Sequence, residues 1–90
     1  MAKLYLVDGT VKDVSPKNGT DFSLEELNGF VEGWIETLYL EDDGVMVINE
    51  EGKLEGLDIN VNATAIFRKH YSHDDFIVGN ALVCKTTEIK

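Results

Sequence analysis

Asp8-Gly9, Asn18-Gly19 and Asp43-Gly44 break the first half of the chain at short intervals, and each pair favours the positive φ angles of a tight turn. Apolar residues caught between such breaks form runs of strand length or of two helical turns. A chain punctuated this way is expected to build a small antiparallel sheet with short helices. At 90 residues it has room for one hydrophobic core.

The runs give the order of elements. Residues 4–7 and 10–14 flank Asp8-Gly9 and read as a hairpin closed by a two-residue turn. After the breaker cluster Ser15-Pro16-Lys17-Asn18-Gly19, Ser23 with Glu26 three positions on forms a capping box. A helix over 24–31 follows, with Leu24, Leu27 and Val31 on its buried stripe, Glu25, Glu26 and Asn28 outside, and Gly33 at its exit. Residues 34–40 and 45–48 form a second hairpin around Asp43-Gly44, which is expected to supply the central strands. Asn60 caps a helix over 61–69, with Ala63, Ile66 and Phe67 facing inward. The apolar run 76–83 suits a strand buried on both faces. The fold class is therefore α+β, order β-β-α-β-β-α-β: a single, mainly antiparallel sheet of about five strands packed by two short helices, in one domain over 1–90.

Charge limits what such a domain binds. Residues 21–58 hold twelve acidic side chains and one basic one, Lys53, a net −11 that leaves +2 for the rest of a chain whose total is −9. That balance disfavours phosphate backbones and anionic lipid, so no direct nucleic-acid or membrane contact is expected. No run is long enough to span a bilayer, and a single cysteine, Cys84, excludes an internal disulfide framework. The expected compartment is the cytoplasm.

Candidate chemistry is sparse. His70 and His73 are three apart and suggest a metal pair, set against a capping or loop role. Asp42-Asp43-Gly44 and Glu50-Glu51-Gly52 lack the alternating ligand spacing of a calcium loop and read as turns. Cys84 ends an apolar strand, where a small buried hydrophobe fits better than a nucleophile. Trp34 and Tyr39 fall on a strand, where aromatic residues more often serve core or cross-strand packing than a ligand or interface surface. There is no phosphate loop, nucleophile elbow or dinucleotide fingerprint, so no cofactor and no enzymatic activity are expected.

The segments 27–36, 45–57, 60–65 and 75–83, and above all Asn49-Glu50-Glu51-Gly52-Lys53-Leu54 and Ile77-Val78-Gly79-Asn80, resemble the family called domain of unknown function 3846. That family is carried by phages, mobile elements and gut bacteria. The resemblance implies no assigned activity; Asn49 and Gly52 read as shaping a turn, Gly56 as relieving a close approach, and Asn60 as a helix cap. The expected function is a non-enzymatic interaction module of phage or mobile-element type for a basic protein partner, one version being an acidic decoy. Its contact surface would be Glu41, Asp42, Asp43, Asn49, Glu50, Glu51 and Asn60. Two alternatives stand beside it: an oligomeric sponge for a nucleotide-like ligand, if Lys53, Arg68 and Lys69 converge, and a metal-dependent enzyme using His70 and His73.

Overall fold

Ser23 and Glu26 start the first helix as their spacing requires: Glu26 N–H donates to Ser23 Oγ (3.1 Å) while Ser23 N–H donates to Glu26 Oε1 (3.0 Å). The computed structural model describes residues 2–71 and 75–89. Its elements are β1 (Ala2–Tyr5), β2 (Val11–Val14), α1 (Leu24–Val31), β3 (Ile35–Tyr39), β4 (Gly44–Asn49), α2 (Val61–His70), β5 (Ala81–Lys85) and a short 3-10 turn, Thr86–Glu88. The α+β class and the element order agree with the sequence reading.

The sheet order is β2-β1-β5-β4-β3. Two hairpins, β1–β2 and β3–β4, leave β1 and β4 facing a gap that β5 fills antiparallel to both. The second hairpin is thus not the centre of the sheet: β4 is interior, β5 is central and β3 is an edge.

Side chains alternate across this sheet with period two, and each face carries one helix. Val45 and Val47 of β4 join Leu82 and Cys84 of β5 under Leu27 and Val31 of α1, with Phe22. Met46 and Ala81 point the other way, onto Ala63 and Phe67 of α2. Full burial of Phe22, Met46 and Leu82 stabilises the fold by about 1.5–3 kcal/mol each. Leu24, expected inside, is exposed, and Asn28, expected outside, is half-buried.

Three local expectations change. The first hairpin closes through three residues rather than two: Leu6 N–H donates to Thr10 O, Gly9 N–H to Leu6 O, and Gly9 takes φ 94°. This is a type I turn finished by a left-handed residue, which suits glycine in third place. The residue with left-handed φ at the exit of α1 is Glu32 (φ 62°), not Gly33. The run 76–83 becomes a strand only from Ala81, because its first half is drawn onto another segment. Ile59 and Val78 bridge, Asn60 N–H donates to Ile77 O, and Gly79 N–H to Asp58 O. Thr64 Oγ1 also accepts from Ile77 N–H (2.9 Å), so 77–79 lies along 58–60 at the base of α2.

Candidate functional site

Of the seven residues singled out in sequence, the two asparagines turn inward. Asn60 is 0 % exposed; its Oδ1 accepts from Ala63 N–H (3.0 Å) and its Nδ2 donates to Tyr5 O and Gly79 O (2.9 Å each). One amide thus caps α2 and ties it to the end of β1 and to the entry of β5. Asn49 is 5 % exposed and donates to Val31 O (3.1 Å) while accepting from Glu51 N–H (2.8 Å). It reaches the open carbonyl end of α1 because Gly33 has no side chain; a Cβ there would lie 2.6 Å from Asn49 Nδ2. The tight approach expected at Gly56 is at Gly52, where a Cβ would meet Val78 Cγ2 at 2.8 Å.

The five carboxylates do not form one patch. Glu41, Asp42 and Asp43 sit at the β3–β4 turn, and Glu50 and Glu51 follow the far end of β4. The length of that strand, at ~3.3 Å per residue, separates the two groups by roughly 20 Å. The turn itself is built on Asp42 (φ 58°) and Asp43 (φ 60°), not on Asp43-Gly44, with Gly44 N–H donating to Glu41 O (3.2 Å).

Between these acidic ends runs the edge strand β3, the part of the site that the sequence reading missed. Glu50 N–H donates to Trp34 O and Leu40 N–H to Gly44 O (2.9 Å each). With the register Ile35↔Asn49 to Tyr39↔Val45, that phase turns the N–H and C=O groups of Glu36 and Leu38 toward β4. Those of Ile35, Thr37 and Tyr39 point away from the sheet. Among the described residues, the Tyr39 carbonyl is the one outward group with a partner, the Tyr71 hydroxyl. An edge of this kind is a template for another strand.

Grooves flank that edge on both faces. On the α1 face a cleft of about 280 Å³ is lined by Phe22, Leu24, Leu27, Ile35, Thr37, Tyr39 and Ile89. On the α2 face a groove of about 340 Å³ runs over Leu38, Ile48, Phe67 and Ile77, with Glu36 and Glu50 on its walls. Trp34 (65 % exposed) stands just before the strand and Tyr39 (61 % exposed) is its last residue. They are surface residues, not core.

The cations and nucleophiles lie elsewhere. Lys53 pairs with Asp75 and covers the Phe76 ring at 4.7 Å, and Arg68 Nε donates to Asp75 O (3.2 Å). Two of the three cations considered for an anionic ligand therefore meet at Asp75 and are engaged there; Lys69 is exposed on α2. His70 Nδ1 accepts from Glu41 N–H (3.3 Å), and His73 falls outside the described residues. Among the described residues no three His, Cys, Asp or Glu side chains cluster to hold a metal. Burial, with Glu88 nearby, pushes the Cys84 thiol up to about 11, which keeps it protonated.

None of the twelve acidic side chains of 21–58 is buried. The ion pairs among the described residues, Lys3–Asp13 and Lys53–Asp75, use none of them. Among the described residues, then, no ion pair neutralises a carboxylate along β3 or at either end of β4; the cation at the turn, Lys85, donates from Nζ to the Asp42 carbonyl (3.2 Å).

A family model described as a domain of unknown function, DUF3846, matches residues 3–90, the amino-terminal hairpin included. No curated protein and no solved structure matches the chain. No helix among the described residues is long and apolar enough to cross a membrane.

Proposed function

We propose that this chain, which belongs to the DUF3846 family, acts by binding a basic protein and performs no chemistry of its own. The observation that carries this reading is the set of exposed carboxylates on the β3–β4 side, none of which is in an ion pair among the described residues. Opposite charge on a partner steers encounter and sets register across such a surface. With one cysteine, free and buried, the fold is held without a disulfide, which suits a reducing compartment, and the cytoplasm is our proposed place of action.

The test is affinity capture from cells that carry the protein, with the retained protein identified and then purified. Its affinity is expected to fall steeply between 0.05 and 0.5 M NaCl, values chosen to span the change from weak to strong screening (Debye length from more than ~10 Å to less than ~8 Å). It should also fall for the triple variant Glu36→Gln, Glu41→Gln, Asp43→Asn. Equal affinity of wild type and triple variant for every retained protein would remove the reading.

A further inference from the structure

We propose that β3 receives, as a sixth strand of the sheet, an extended segment of the partner protein in which apolar and basic side chains alternate. This rests on the acidic β3–β4 side being the partner site, and it specifies how that site is filled. The outward N–H and C=O groups of Ile35 and Thr37 and the outward N–H of Tyr39 offer a ladder of hydrogen bonds. A residue set opposite Ile35, Thr37 or Tyr39 projects its side chain on the α1 face, over the cleft floored by Phe22, Leu27 and Ile89. That face calls for apolar side chains. Of the residues between them, on the other face, the one beside Leu38 meets the apolar groove there. The one beside Glu36, which is exposed, and the ends of the segment, which approach Glu32 and the Glu41, Asp42 and Asp43 turn, are the positions that meet carboxylates. Those positions call for lysine or arginine.

The other edge of the sheet lacks this combination. β2 is four residues long, carries both Lys12 and Asp13, and Asp13 is already paired with Lys3. A second copy of the chain fits β3 poorly, since each copy carries −9. Two β3 strands paired antiparallel about Thr37 would bring the Glu41, Asp42 and Asp43 turn of each copy toward the α1 exit of the other, where Glu32 lies. Like charges placed opposite each other oppose pairing.

The probe is a fluorescent seven-residue peptide of alternating lysine and valine with blocked ends, titrated with the full chain and read by anisotropy. A second peptide is N-methylated at its three valines, which keeps the charge and removes the donors that face β3. Binding of the first and a loss of about tenfold or more for the second is the expected result, since several hydrogen bonds are withdrawn. Thr37→Pro removes one outward donor at a place where an edge strand tolerates proline, and it should weaken the first peptide similarly. No binding of the first peptide, or equal binding of the methylated one, overturns strand addition. So does a self-association of the wild type, seen by sedimentation, that Thr37→Pro abolishes, because it assigns the edge to a second copy. A natural partner that responds to the carboxylate variant but not to Thr37→Pro leaves the acidic reading standing and removes this one.

Discussion

Asn60 and Asn49 were each legible in their local half only: Asn49 does shape the turn that follows it, through Glu51 N–H and Gly52 N–H, while its reach to Val31 O lay hidden. That Asn60 caps a helix was readable, because its place before Val61 needs only local geometry. That its amide also holds Tyr5 O and Gly79 O was not, since those partners lie 55 and 19 residues away. Burial turns both asparagines from contact residues into structural ones. Asn60→Ala strands two carbonyls and a helix N–H, so urea unfolding should show a loss of about 2–4 kcal/mol. Asn49→Ala should cost about 1–3 kcal/mol by the same measurement. A variant of either that unfolded like wild type would contradict this. Cys84 is the other residue decided by burial: with the thiol at about 11, the thiolate fraction at pH 8 is on the order of one in a thousand. Iodoacetamide should therefore label it slowly in the native protein and quickly in urea.

The elements that were legible are those fixed by neighbours in sequence. The helix over Leu24–Val31 follows from Ser23 and Glu26, and α2 from Asn60 and the spacing of Ala63 and Phe67. What depended on the sheet was hidden: nothing in the β-rich composition of 34–40 says that β3 has a partner on one side only, and the apolar run 76–83 cannot reveal that Ile77 and Val78 pair with 58–60. The β3–β4 turn makes a prediction of its own. Asp42 and Asp43 both hold positive φ, which asparagine followed by glycine adopts at less cost. Replacing them as Asp42→Asn with Asp43→Gly should raise stability by about 1 kcal/mol, read as a higher urea midpoint at unchanged slope. In α1, the backbone donors of Ser23 and then of Lys17 hold the Glu26 carboxyl below its usual range. A depressed carboxyl contributes stability that is present above its unfolded-state value and is lost as pH falls through its folded-state value. Glu26→Ala should therefore narrow the stability gap to wild type as the solution is acidified into that low range; a gap independent of pH would contradict the cap.

At the scale of the whole molecule the acidity that marks the sequence meets the geometry that disperses it. The carboxylates of 21–58 are all at the surface, and the molecule measures 35 × 27 × 21 Å. At ~0.01 M salt the Debye length is about 30 Å, so every charge feels the other side of the protein; at ~0.1 M it is about 10 Å and only neighbours repel. Self-repulsion in a chain of net charge −9 weakens the folded state, and screening should relieve it. The thermal midpoint is thus expected to rise with NaCl over that range, by several degrees if the relief is about 1 kcal/mol. Binding of the proposed basic partner is expected to respond with the opposite sign, because the same screening removes the attraction that would bring it in. A fold that gains from salt while its complex loses is the signature of carboxylates kept for a partner at some cost to the free protein. If melting temperature and affinity both proved indifferent to NaCl, the charge would be a solvated coat with no such tension in it.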